Sequence, residues 1–247
     1  MKTLILTSCF KAFYVDEYGN KIPCEIDNAN GFLDNLKKYL KKRDCMVVIS
    51  GNPKKLHKDD SNEITKKYLE MSGIGFKEII YVDDSNKNQI SDFIKKAECI
   101  NLFGGHLPTA NAFINELKLK DLIKDFNGVV IGGSGGAMNM ADDVYCIPEV
   151  EGEHIDKTFK RILPGLGLTD INIIPHWNFF KNKTFSDGVN MVNDILLPDS
   201  KGRPLLALPD CSYIIQEGDI RKVFGEAYLL EYDKITQICS DGKSEII

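Results

Sequence analysis

Several features that would define a specialised class of protein are scarce in this sequence. Its 31 basic residues are outnumbered by 36 acidic ones, so there is no excess of positive charge for binding nucleic acid. No apolar run approaches the ~20 residues that a membrane-spanning helix needs. The short apolar run 4–6 is too brief for the core of a signal peptide. We therefore expect neither a nucleic acid nor a membrane as a partner.

Paired cysteine motifs are also missing. The seven cysteines are an odd number, and none of them forms a C-x-x-C pair. This pattern argues against a disulfide framework and against a zinc site. We expect a cytoplasmic protein that needs no metal and no cofactor. The cysteines are Cys9, Cys24, Cys45, Cys99, Cys146, Cys211 and Cys239.

Apolar segments in the first half alternate between strand and helix patterns. This alternation predicts a flavodoxin-like α/β fold, a doubly wound and mostly parallel sheet with helices on both faces. The tail 213–247 alternates apolar and polar residues and predicts an antiparallel meander. No linker or repeat divides the chain, so we expect a single domain over residues 1–247. The predicted strands are 4–7, 47–50, 79–82, 99–103 and 129–131, and the predicted helices are 32–40, 64–71, 90–97 and 109–123.

The predicted apolar strand 129–131 is followed directly by glycines on either side of a single serine, Ser134. Gly132, Ser134 and Gly136 match the nucleophile elbow, a strained strand-to-helix turn that exposes a serine above the sheet edge. A glycine-rich turn can also be a phosphate cradle or plain tight packing. A phosphate-binding Walker loop would need a Lys-Ser/Thr pair after the last glycine, and Ala137-Met138 stands there instead.

A nucleophilic serine needs a base, and the sequence holds only four histidines. His57 lies in a charged loop. His154 has no strand before it and lies in the acidic segment 149–154, which we expect to be exposed. His176 directly follows the apolar strand 171–174 through Pro175, so it should emerge at the carboxyl edge of the sheet. We favour His176 as the base, and the alternative is a packed or capping histidine.

An acid is needed to orient that base. Like His176, Asp210 follows a predicted strand through a proline; the strand is 205–208 and the proline is Pro209. The order serine, histidine, acid argues against an α/β-hydrolase, in which the acid precedes a late histidine. The alternative for Asp210 is a turn aspartate, in which case Asp142 or Glu226 could hold the histidine.

The segments around Ser134, His176 and Asp210 resemble those of the dipeptidase E and cyanophycinase family of serine peptidases. The resemblance spans nearly the whole chain. It implies the class I glutamine-amidotransferase-like fold. It also implies Ser134 as nucleophile, His176 as base and Asp210 where dipeptidase E carries a glutamate. The N–H groups of Gly105 and Gly135 would form the oxyanion hole. The resemblance rests on Gly104-Gly105, residues 132–137, Ile174-Pro175-His176, residues 207–210 and Gly225.

The resemblance implies a serine hydrolase that cleaves short peptides through an acyl-enzyme. We expect His106, which follows the oxyanion glycines, to contact the substrate. Beyond a small peptide substrate, the only partner expected is a second copy of the chain in a homodimer. The alternatives are a non-peptidase amidase and a non-catalytic small-molecule-binding member of the same fold.

The sequence departs from the family pattern in three places. His106-Leu107-Pro108-Thr109 follows the glycine pair, where the family commonly has glycine or asparagine and a threonine. Gly135 follows the serine where the family commonly has alanine. No arginine closely follows His176 to bind an acidic substrate, and the nearest cations are Lys181 and Lys183.

Overall fold

The protein was analysed as a computed structural model, which describes residues 2–54 and 60–247. Strands and short helices alternate along the chain. The strands are β1 Thr3–Thr7, β2 Phe13–Val15, β3 Lys21–Pro23, β4 Cys45–Ile49, β5 Glu78–Val82, β6 Cys99–Leu102, β7 Val129–Gly133, β8 Asp143–Tyr145, β9 Ile162–Pro164, β10 Asn172–Ile174, β11 Leu205–Ala207, β12 Tyr213–Glu217, β13 Ile220–Phe224, β14 Ala227–Glu231, β15 Lys234–Cys239 and β16 Ser244–Ile246. The α-helices are α1 Phe32–Tyr39, α2 Asp60–Met71, α3 Ile90–Lys96, α4 Leu107–Glu116, α5 Leu119–Leu122, α6 Gly135–Met138, α7 Trp177–Phe180 and α8 Leu197–Asp199.

The main sheet has eight strands in the order β16-β13-β12-β1-β7-β6-β4-β5. The five strands from β1 to β5 in that order are mutually parallel, and each corresponds to a strand predicted from the sequence. Strands β1 and β4 are buried along their whole length, which is typical of strands covered on both faces.

Helices cover both faces of this parallel region. Met46 and Val48 of β4 point to the face that packs against α1 and α2. Val47 and Ile49 alternate to the opposite face, which packs against α3 and α4. Fully burying one such side chain stabilises the fold by about 1.5–3 kcal/mol. The predicted flavodoxin-like α/β fold is confirmed.

Several helix boundaries differ from those predicted. Helix α2 begins at Asp60, ahead of the predicted start at Ile64. The predicted helix 109–123 is broken into α4 and α5, because Lys118 adopts a left-handed conformation with φ 51°. A π-helical turn, Met191–Leu196, precedes α8, and Asn190 caps its backbone N–H groups. No helix in the described ranges is long and apolar enough to cross a membrane.

In the second half of the chain, the strand pairing differs from that predicted from the sequence. Strands β10 and β11 were expected to belong to the main sheet, so that His176 and Asp210 emerge at its carboxyl edge, but they pair in parallel within a separate sheet of order β10-β11-β14-β15. The predicted meander is also divided. Strands β12, β13 and β16 extend the main sheet beside β1, whereas β14 and β15 complete the second sheet. The segments before Ser134 and His176 therefore belong to different sheets.

Candidate active site

Ser134 occupies the sharp turn between β7 and α6. Its backbone has φ 50° and ψ −122°, a strained conformation for a residue other than glycine. The Ser134 N–H donates to the carbonyls of both Thr7 and Ser8 at 3.0 Å. These bonds tie the turn to the end of β1. The turn has the strand-turn-helix context that a nucleophile elbow requires.

The glycines around Ser134 are required by close backbone approach. A Cβ added to Gly132 would lie 2.6 Å from the backbone of Ala137. A Cβ added to Gly136 would lie 2.0 Å from the carbonyl oxygen of Leu102, and one added to Gly135 would lie 2.9 Å from that of Gly105. The glycine at position 135, where the family commonly has alanine, thus allows the chain at Gly105 to approach closely.

We expect Gly136→Ala to destabilise the protein by about 3 kcal/mol, because the new methyl group must displace the backbone of β6. Gly133→Ala is the matched control within the same turn, since its Cβ would make only an ordinary contact of 3.7 Å with Thr7. Chemical denaturation of the two variants measures the difference. Equal free energies of unfolding would contradict this explanation of the turn.

The structure brings Ser134, His176 and Asp210 together. Ser134 Oγ lies 2.9 Å from Nε2 of His176, and Nδ1 of the same ring lies 2.8 Å from Oδ1 of Asp210. His176 precedes α7 in a left-handed conformation with φ 52°, so its backbone is also strained. A serine, an imidazole and a carboxylate in this arrangement can transfer the hydroxyl proton to the ring and stabilise the resulting cation.

Ser8 was missed from the sequence. Its hydroxyl donates to Oδ1 of Asp210 at 2.8 Å and accepts the backbone N–H of His176 at 2.7 Å. It directly follows β1, so examining the carboxyl end of every parallel strand would have found it. Ser8 links the main sheet to the two residues that the second sheet supplies.

These contacts set the charge of Asp210. Partial burial would raise the pKa of its carboxyl, but the hydrogen bonds from His176 and Ser8 and the nearby imidazole outweigh that effect. The pKa therefore lies below its ordinary value. The carboxyl is ionised at neutral pH and can accept a hydrogen bond from Nδ1–H of His176.

The glycines proposed for the oxyanion hole lie beside the serine. A Cβ on Gly104 would be 3.1 Å from Cβ of Ser134, and one on Gly135 would be 3.6 Å from the nitrogen of Gly105. The N–H groups of Gly105 and Gly135 have no hydrogen-bond acceptor within the described part of the chain. Both N–H groups are therefore available to an oxygen that develops negative charge near Ser134.

His106 lies next to an acidic segment that the sequence suggested was exposed. Its Nε2 is 2.8 Å from Glu153 Oε1, and its Nδ1 is 3.1 Å from Thr109 Oγ1. The Glu153 side chain is only 16% exposed, which corrects that expectation. Burial raises the pKa of the neighbouring Glu149 carboxyl above its ordinary value. His106 thus stands beside two carboxyl groups after the glycine pair.

The other histidines have different surroundings. The His154 side chain is 3% exposed, pairs with Asp187 at 2.9 Å and stacks on Phe185, so it too is not exposed as expected. His57 lies outside the described residues.

The alternative acids are engaged elsewhere. Asp142 pairs with Lys120 at 2.7 Å, and Glu226 accepts the hydroxyl of Tyr228.

Neither lysine near His176 offers a free cation beside the serine. Lys183 donates to the carbonyl oxygen of Glu149 and lies over the ring of Phe185, 4.8 Å from its centroid. Lys181 is exposed on the surface. Among the described residues, no group of three or more His, Cys, Asp or Glu side chains could hold a metal ion.

A cavity of about 530 Å³ extends from Ser134 into the molecule. Its mouth is formed by Gly104, Gly105, Ser134 and His176. It continues between one face of the main sheet and helices α1 and α2. The volume is within the range of small-molecule sites. The deeper lining is predominantly apolar and includes Ile26, Phe32, Leu36, Leu40, Met46, Leu69 and Ile74.

Comparisons with known proteins agree with this geometry. A candidate peptidase E from Listeria monocytogenes EGD-e, solved at 1.5 Å, has the same fold with a TM-score of 0.60 at 16% identity. The alignment covers 97% of this chain and 100% of that chain. No curated protein matches significantly. The model of peptidase family S51 matches residues 59–223, a segment that includes Ser134, His176 and Asp210. The chain therefore belongs to peptidase family S51 and is a serine-type peptidase.

Proposed function

We propose that the protein hydrolyses short peptides through a covalent acyl-enzyme on Ser134. The observation that supports this most strongly is the continuous hydrogen-bonded series from Ser134 through His176 to Asp210. An ion-binding turn would need no histidine within hydrogen-bonding distance of its serine. The seven free thiols support a reducing compartment, and we propose the cytoplasm.

In the proposed reaction, Nε2 of His176 removes the proton of Ser134 as Oγ attacks the peptide carbonyl. Asp210 accepts a hydrogen bond from Nδ1–H of His176 and, as a carboxylate, stabilises the imidazolium. The N–H groups of Gly105 and Gly135 stabilise the oxyanion. His176 then protonates the departing amine, and a water molecule activated by the same ring releases the acyl group.

A peptide library tests this proposal against the non-peptidase amidase and the non-catalytic binding protein. The purified protein is incubated with an equimolar set of dipeptides and tripeptides, and with simple amides such as acetamide and glutamine. Mass spectrometry follows the loss of each compound. We expect cleavage of peptides that is absent in Ser134→Ala. Cleavage of the simple amides alone would favour the amidase, and turnover of no compound would favour the binding protein.

We propose that His106 contacts the substrate, and we expect His106→Asn to raise KM about tenfold while kcat changes much less. The imidazole is 41% exposed and lies after the oxyanion glycines, but it is outside the hydrogen-bonded series. Loss of a contact made equally in the ground and transition states raises KM alone. Steady-state kinetics on the best peptide measures the effect, and an unchanged melting temperature is the control. Wild-type KM on every cleaved peptide would show that His106 is only a loop residue.

A further inference from the structure

The cavity beside Ser134 has a mostly apolar lining, which the hydrolysis of a peptide bond does not in itself require. Most of its lining away from the serine is apolar. Thr7 and Ser8 are near the serine, whereas Leu36 of α1, Leu40 directly after α1 and Leu69 of α2 lie farther inside. Apart from the base His176 at the mouth, Lys21 is the only carboxylate or basic side chain among the described lining residues. Lys21 is exposed on the β2–β3 hairpin and lies over the ring of Phe13, so its charge is at the rim.

This lining does not suit an acidic substrate side chain. An isolated carboxylate in an apolar cavity loses its hydration, and several kcal/mol of the cost remain unless a cation pairs with it. The described inner lining offers no such cation. Away from Ser134, the neutral polar side chains in the lining are few. Thr65 and Tyr68 of α2 hydrogen-bond to each other, and the side chain of Asn101 in β6 makes no hydrogen bond with described residues. A largely apolar group fits these surroundings.

We propose that the acyl part of the substrate carries a large apolar group, either aromatic or long aliphatic, that occupies this cavity. The proposal rests on the peptidase function proposed above. During acylation the bond between Ser134 Oγ and the carbonyl carbon forms, the C–N bond breaks, and His176 transfers the serine proton to the amine. The acyl group then stays on Ser134 while the amine departs. Because the cavity extends inward from Ser134, it suits the acyl group, which remains bonded to that serine.

Esters with one constant leaving group test the proposal. The p-nitrophenyl esters of acetate, hexanoate and decanoate vary the aliphatic chain, and those of N-acetyl-alanine, N-acetyl-phenylalanine and N-acetyl-aspartate vary an amino-acid side chain. We expect kcat/KM to rise about threefold to fourfold per added methylene until the cavity is filled. The series with the steeper rise distinguishes a fatty acyl group from an aromatic residue. Equal values across both series, or preference for aspartate, would overturn the proposal.

Filling the cavity supplies a matched test. Ile131 of β7 lines the cavity and is half-buried, so Ile131→Phe places additional bulk inside it. We expect the ratio of decanoate to acetate kcat/KM to fall at least tenfold. Val130→Ile is the control, because Val130 packs on the opposite face of the same strand. A ratio measured on one preparation does not depend on how much of it is folded. An unchanged ratio in Ile131→Phe would contradict occupation of the cavity.

A binding measurement separates this proposal from the proposed function. Calorimetry on Ser134→Ala compares N-decanoylglycinamide with N-acetylglycinamide, and we expect at least tenfold tighter binding of the longer chain. Equal binding overturns the cavity proposal even if the wild-type enzyme cleaves acetate esters. Failure of the wild-type protein to cleave any ester or peptide overturns the proposed function instead.

Discussion

Ser134→Ala is expected to lower kcat for peptide hydrolysis by about 10⁶-fold, the scale set by removal of a triad serine. This loss corresponds to about 8 kcal/mol of transition-state stabilisation. The substitution removes the atom that forms the covalent bond. The fold should persist, because among the described residues the Ser134 side chain bonds only to His176, and serine and alanine carry the same strain at φ 50°.

The measurement is single-turnover and steady-state hydrolysis of the best peptide. Ser186→Ala is the control, since Ser186 is an exposed serine that bonds to Glu151 on the surface. We expect wild-type turnover from this control. Retention of more than a tenth of wild-type kcat in Ser134→Ala would contradict covalent catalysis by this residue.

Asp210→Asn is expected to lower kcat by up to ~10⁴-fold, which is the loss caused by the equivalent change in the catalytic triad of a serine protease. The carboxylate accepts a hydrogen bond from Nδ1–H of His176, which keeps the proton on Nδ1, so the ring presents an unprotonated Nε2 to Ser134. An amide NH₂ in its place favours the wrong tautomer. Asp210→Glu should retain much of the activity, because the dipeptidases that the sequence resembles use the longer acid.

Asp142→Asn is the matched control for this prediction. Asp142 was one of the two alternative acids in the sequence, and it pairs with Lys120 instead of a histidine. Its loss should leave kcat within about twofold of wild type, as expected for an exposed ion pair. A decrease below tenfold in Asp210→Asn, about 1.4 kcal/mol of barrier, would show that Asp210 does not orient the base.

Local sequence patterns predicted the main sheet because its strands are buried on both faces. A strand such as β4 is continuously apolar, and turn residues mark its ends. The rule that function gathers at the carboxyl ends of strands then selected Ser134, His176 and Asp210 as candidates. The structure places the side chains of Ser134 and Asp210 within hydrogen-bonding distance of the His176 ring.

The same patterns failed where pairing between distant segments decides the structure. Strands β10 and β11 read as buried strands, but periodicity contains no information about which sheet they join. Ser8 was missed because a single serine after β1 has no local signature, and its partners lie far along the chain. The apolar cavity is a gap left by packing α1 and α2 against the sheet, and its lining residues look like ordinary core residues in the sequence.

Labelling with a fluorophosphonate tests the central claim most directly, because the probe reacts only with an activated serine. Intact-mass analysis of the wild-type protein should show one adduct per chain, and peptide mapping should locate it on Ser134. Ser134→Ala should show none, and His176→Gln should react far more slowly. Absence of the adduct in folded wild-type protein, or its persistence in Ser134→Ala, would contradict the assignment of Ser134 as the nucleophile.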